Sequence, residues 1–318
     1  MLVAVALAVA VLSLLTGSYA LSVAQIGEIL WGRSDDIGQL VVVGLRLPRI
    51  VASLCVGAGF GVAGAIFQSL CRNPLASPDI IGFTTGSATG ALATIVVLGQ
   101  SGLATALGSV IGGFAAAALV YLLALRRGLT GDRFILSGVA LSAMLMAFNE
   151  YLVTRAELER AEAAKTWLFG SLNGVSWSQV TILAPGIVVL LLCAGLLWPG
   201  LKMLEIGDDL AVGLGLSARR SRLVLMGVGL GLAALATALA GPIHFLALAA
   251  GPLARGLVRP GDPGVVPVAI MGAVLLIVSD FLAQHLMAPF QIPVGLITGA
   301  IGGVYLVVLL TRRTGGCG

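Results

Sequence analysis

The chain has 318 residues, of which 58% are hydrophobic and only 10% charged, against about 25% charged in an ordinary soluble domain. That balance excludes a water-soluble globule, and the net charge of +4 comes with no basic patch long enough to follow a nucleic acid. The 44 glycines, roughly twice the usual ~7% share, suit helices packed in lipid.

Apolar runs long enough to cross a ~30 Å hydrocarbon core predict about ten spans in an all-α, polytopic membrane protein, a single domain over residues 1–318. They lie near 1–21, 47–70, 80–99, 102–125, 133–153, 179–199, 222–240, 242–258, 265–285 and 294–311. The first lacks a basic leader and has a poor cleavage site at Gly17–Ala20, so it reads as a span and not as a signal peptide. The second and third contain the runs Ile50–Leu70 and Ile80–Leu98, joined by the polar turn Cys71–Asp79. Gly57, Gly61 and Ala65 share one face of the first run, and Gly82, Gly86 and Gly90 one face of the second. Small residues at that spacing let backbones approach closely, which predicts the core of a bundle. Asn73 and Pro74 form either a plain tight turn or a turn whose carbonyls face a water path. Together with Thr130, Ser137 and Gly138 they are the candidates for the pathway or its gate.

With the N-terminus placed inside, six of the 18 Lys and Arg residues fall outside: Arg33, Arg46, Arg49, Arg155, Arg160 and Lys165. The other twelve fall on the inner side, and basic residues near span ends mark the cytoplasm, so both termini are expected to be cytoplasmic. Two loops are long enough to be more than connections. The outer one, Glu150–Trp177, has charge spacing suited to one or two exposed helical turns. The inner one, about residues 202–221, reads KMLEIGDDLAVGLGLSARR in its central part. Asp208 and Asp209 suit the positive end of a short helix there, and Leu210, Ala211 and Leu214 form one apolar stripe along it. An amphipathic helix on anionic lipid would favour basic residues on its polar face. Two acids, with glycines at 213 and 215, point instead to docking into a cytoplasmic partner.

Little supports chemistry within the chain. No GxxxxGK[ST] run is present, so ATP and its Mg²⁺ belong to another subunit. The cysteines Cys55, Cys71, Cys193 and Cys317 have no CxxC spacing, and no cofactor or metal site is expected. His244 and His285 lie on separate spans with no ligand partner at suitable spacing. Asp280, toward the outer end of the ninth span, is either functional or satisfied by Ser279 and a neighbouring helix. An ion-coupled secondary transporter would carry mid-span ionisable groups, whereas the charges here gather at span ends and in loops.

The segment from Arg46 to Ala91, RLPRIVASLCVGAGFGVAGAIFQSLCRNPLASPDIIGFTTGSATGA, resembles the signature region of the FecCD family, the permease subunits of ABC importers for iron–siderophores, haem and cobalamin. The likeness continues in order through WLFGSL (Trp167–Leu172), GDDLAVGLGL (Gly207–Leu216), AGPIHF (Ala240–Phe245) and IPVGLITGAIGG (Ile292–Gly303). It implies a non-enzymatic, multi-pass permease of the bacterial cytoplasmic (inner) membrane. The expected substrate is a ferric siderophore, with haem or cobalamin as the alternative. The implied partners are an ABC ATPase subunit, a soluble substrate-binding protein, and a second permease copy or a sister permease. By the same resemblance, Gly207, Asp208, Asp209, Leu210, Ala211, Leu214 and Gly215 couple to the ATPase, and Arg46 and Arg49 dock the binding protein. The chain departs from the family pattern at Gly251-Pro252, at Gln284, where an arginine is frequent, and at Gln291, where an acid is.

Overall fold

In this computed structural model, residues 1–17, 19, 21–31, 36–78, 82–125, 131–257, 264–288 and 290–314 are described, and all regular structure among them is helical. Leu47–Leu70 (α4) lies at the centre, and every residue from Gly59 to Ser69 is buried. A helix that is apolar all round has no face for water, so it ends up surrounded by other helices. Its neighbours are Trp177–Ile206 (α9), Ala218–Ala240 (α11), Leu246–Leu257 (α12) and Val265–His285 (α13).

The glycines explain how closely these helices approach. A Cβ at Gly57 would lie 2.5 Å from the Gly272 carbonyl oxygen of α13, and one at Gly61 would lie 3.0 Å from that of Val268. Gly64, not Ala65, makes the closest approach, against the Ala247 carbonyl of α12. Phe83–Leu92 (α5) and Leu103–Leu125 (α6) form a second pair of this kind, with Gly86 on the Gly112 carbonyl and Gly90 on that of Gly108. Gly82 lies outside that stripe. It precedes α5 with φ of +75°, a left-handed conformation that glycine adopts without cost.

Several expected boundaries move. The first span shortens to Leu2–Leu15 (α1), followed by Val23–Leu30 (α2), which has a capping box between Ser22 and Gln25. The second begins well before residue 47. Asp36–Gln39 (α3), a π-helical segment Leu40–Arg46 and α4 run together, giving an apolar helix Ile37–Leu70 of 34 residues. The wider π turn accommodates the proline: Leu47 N–H bonds the Val42 carbonyl five residues back, and Pro48 has no N–H to offer the Val43 carbonyl next in that register. The Trp177 indole N–H of α9 takes that carbonyl instead, at 2.6 Å. A second π segment, Ala93–Val97, extends α5, and its Val96 carbonyl accepts from Arg160 at 3.2 Å.

The outer loop holds more than the expected turn or two. Leu158–Leu168 (α8) is an 11-residue helix anchored by the buried Ala164, and it follows Gly131–Arg155 (α7). Helix α9 has 30 residues and includes Pro185 and Pro199, so the inner loop shrinks to the residues after Ile206. Six helices among the described residues are long and apolar enough to cross a membrane. Four shorter apolar ones accompany them: Leu2–Leu15, Phe83–Val97, Leu246–Leu257 and Val294–Tyr305. The last belongs to α14 (Val294–Thr314).

Candidate functional site

Between α9 and α11 the chain makes one short helix, Asp208–Gly213 (α10), with a glycine in a non-helical conformation on either side. Gly207 has φ of +152° and Gly215 of +87°, and no atom lies within 4 Å of where a Cβ would stand at either. Backbone conformation, not crowding within the chain, therefore calls for glycine at these two ends. Gly213 is helical and equally open. Asp208 and Asp209 lie in the first turn, as expected at the positive end of a helix.

The expected stripe of Leu210, Ala211 and Leu214 is divided. Ala211 is fully buried and anchors the helix to the bundle, whereas Leu210, Val212 and Leu214 are 60%, 59% and 68% exposed. The apolar surface presented outward therefore consists of three aliphatic side chains including Val212, and Ala211 lies behind it. Exposed leucines on a six-residue helix, projecting from the loop side of the bundle, are the strongest candidate contact surface in the molecule.

Asp208 faces the other way. One of its oxygens accepts from Arg222 of α11 at 2.9 Å and from Arg72 at 3.2 Å. Arg72 lies two residues past the end of α4 with a left-handed φ of +50°, unusual for a residue with a side chain, and its guanidinium also donates to the Leu204 carbonyl of α9 at 3.0 Å. Ser69 of α4 donates to Glu205, which pairs with Lys202 at 2.9 Å. Beside this cluster lies a cleft of about 630 Å³ lined by Cys71, Arg72, Gly207, Asp208, Leu210 and Arg222, among others. Burial raises the Cys71 thiol pKa above its ordinary value, and the Arg222 charge offsets part of that rise. Sequence spacing does not connect Arg72, Asp208 and Arg222; only folding brings them together.

At the opposite end of α4, Arg46 and Arg49 are engaged within the chain. The Arg46 guanidinium donates to the Leu14 carbonyl and, at 2.6 Å, to that of Tyr19, and so ties down the end of α1. Arg49 makes a forked contact with Asp280 of α13, Nε to Oδ2 at 2.9 Å and Nη2 to Oδ1 at 2.8 Å. Arg49 also donates to Gln291 at 3.0 Å, and Gln284 donates to Asp280 at 2.9 Å. Asp280 is thus satisfied by Arg49 and Gln284, while Ser279 bonds to its own helix at Leu275. Two of the three departures from the family pattern, Gln284 and Gln291, fall in this one cluster. Relative to that pattern they remove one charge of each sign and leave a single neutral pair.

The gate candidates are scattered. Asn73 closes a local turn by accepting from the Leu75 N–H at 2.9 Å, and it is exposed beside the half-buried Pro74. Ser137 is half-buried and Gly138 buried on α7, where the Gly138 carbonyl accepts from Ser142 at 2.8 Å. Thr130 lies outside the described residues. The exposed His244 lines a cavity of about 220 Å³ with Ser77, Phe245, Ala247 and Leu248. His285 stacks on Phe281 at 4.2 Å and bonds its carbonyl through Nδ1.

Comparison with known proteins fits this architecture. Over 314 residues, 99% of this chain and 95% of the relative, the sequence is 44% identical to the ferric enterobactin transport system permease protein FepG of Escherichia coli (strain K12). It is 36% identical over 278 residues to the Fe(3+)-citrate import system permease protein YfmE of Bacillus subtilis (strain 168), covering 87% of this chain and 83% of that one. A solved inward-facing structure described as a metal-chelate type ABC transporter matches with a TM-score of 0.87 and 30% identity, covering 98% of this chain and 97% of that one. The FecCD transport family model matches residues 5–312, and the chain belongs to that family of multi-pass membrane permeases.

Proposed function

We propose that this permease imports ferric-siderophore complexes across a bacterial cytoplasmic membrane, driven by ATP hydrolysed on a separate subunit. The names of its relatives support an iron-chelate substrate. The observation that carries the ATP-driven reading is the division of α10: Ala211 is fixed in the bundle while Leu210, Val212 and Leu214 project from it. This small apolar surface fits a cleft on a soluble ATPase subunit, with the two glycine ends allowing the helix to seat. Ten crossings with both termini cytoplasmic place α10 on the inner side, where the basic residues concentrate.

A soluble binding protein delivers the chelate at the opposite face. Arg46 and Arg49 shape that face through their bonds to α1 and α13, and their charges are largely committed there. A second permease, identical or a sister chain, completes the pathway. The coupling surface is tested by reconstituting Leu214→Asp and Gly215→Trp with the ATPase subunit. The expected result is a folded permease that has lost ATPase co-purification and hydrolysis stimulated by loaded binding protein, because a charge in a dry contact is left unpaired. Wild-type stimulation in both variants would overturn the assignment.

A further inference from the structure

We propose that Asp208, held between Arg72 and Arg222, is a positioning residue that passes movement of α10 to the central helix α4. The inference rests on α10 being the ATPase contact and goes beyond it, because the half-exposed Asp208 carboxylate engages Arg72 and Arg222 of the bundle and is not part of the apolar contact surface.

Three observations support it. First, α10 is tied to the bundle at few points: glycines with φ of +152° and +87° flank it, and among its six residues only Ala211 is buried. If ATP hydrolysis turns such a helix about its few attachment points, whatever links its first turn to the bundle decides where that motion goes. Second, that link is Asp208, which reaches Arg222 on α11 and Arg72 at the end of α4 from one carboxylate oxygen. Third, α4 is built to carry displacement as a rigid body. Its glycines set its backbone directly against those of α12 and α13, and such close-packed contacts shift as units and do not bend gradually. The Arg72 contact to the Leu204 carbonyl and the Ser69 contact to Glu205 bind the same end of α4 to the end of α9, directly before α10.

The charges of this cluster are 38–51% exposed, and ion pairs so exposed add little to stability. A role in holding the fold together therefore does not account for three charged groups meeting at the base of a glycine-flanked helix.

The test uses the complete complex of permease, ATPase and binding protein in proteoliposomes, with ferric enterobactin as the probe. It reads the ratio of ATP hydrolysis with loaded binding protein to that without. Asp208→Asn and Arg72→Gln are each expected to lower the ratio about fivefold or more, the lower end of couplings between distant sites. Asp208→Glu should restore most of it. The double variant Asp208→Asn/Arg72→Gln should lose less than the sum of the two single variants, because they share the Arg72–Asp208 link. Unfolding temperature and ATPase co-purification should stay at wild-type levels, which a purely structural role would not allow. An unchanged ratio in both single variants overturns the proposal, as does additive loss in the double variant or loss of assembly in all of them. Leu214→Asp distinguishes the two readings. If it uncouples while the Asp208 and Arg72 variants do not, only the link is wrong. If it has no effect either, the coupling surface itself is wrong.

Discussion

At the N-terminal end of α4 the Arg49–Asp280 pair has side chains only 14% and 6% exposed, whereas at the C-terminal end Arg72, Asp208 and Arg222 are 38–51% exposed. The buried pair is forked, supported by two glutamines, and joins two long helices near one end of each. The open cluster joins a helix end to a short glycine-flanked helix through one shared oxygen. Burial makes the first expensive to break, because a lone charge would be left away from water. Exposure makes the second cheap to break and remake, which suits a contact that moves during a transport cycle. One helix therefore has a buried, fixed end and, on the proposed coupling role, a working end.

The largest effect should come from breaking the fixed end. Asp280→Ala strands the Arg49 guanidinium and should cost about 3–5 kcal/mol of stability, read as a large drop in unfolding midpoint in detergent. Replacing both partners by residues of similar volume, Asp280→Leu with Arg49→Met, should recover most of the loss, since no charge then remains unpaired. An equal loss in the single and double variants would contradict the account of this end.

The bundle was largely legible in the sequence, and this pair was not. Hydropathy marked the apolar helices, six of which are long enough among the described residues to cross a membrane, and Gly57, Gly61, Gly86 and Gly90 lie where their spacing predicts close packing. The second span begins ten residues before the expected residue 47. A proline normally marks a helix start, but a π turn and the Trp177 indole, 134 residues distant in sequence, absorb it here. Arg49 and Asp280 are 231 residues apart, and no periodicity relates two charges on different helices. Likewise the orientation of α10 depends on which side of a six-residue helix meets the bundle. Two turns give too weak a pattern to separate Ala211 from Leu210 and Leu214.

A smaller effect should follow removal of the Trp177 hydrogen bond. Trp177→Phe keeps an aromatic ring but leaves the Val43 carbonyl without its partner, and should cost about 1 kcal/mol in the same unfolding measurement. No change would mean that water satisfies this carbonyl and that the π segment does not depend on α9.

The smallest effect expected is at the working end, in the reactivity of Cys71. Burial holds its pKa up, so little thiolate is present at neutral pH, and Arg222 opposes this. Asp208→Asn removes the carboxylate that neutralises Arg222, which should lower the Cys71 pKa and speed its alkylation at neutral pH, quantified at that residue by mass spectrometry. The gain should shrink as pH rises and wild-type Cys71 ionises as well. A slower reaction would mean that Asp208 does not neutralise Arg222 at this site.

The central claim is that the chain is the membrane part of an ATP-driven importer of iron chelates. Its most direct test is uptake of radioiron-labelled ferric enterobactin into proteoliposomes holding the permease and its ATPase, with binding protein outside and ATP inside. Uptake should require ATP and binding protein, persist when proton and sodium gradients are collapsed, and resist competition by haem or cobalamin. Uptake that stops with the ion gradients while ATP remains, or that haem or cobalamin displaces, would contradict the account.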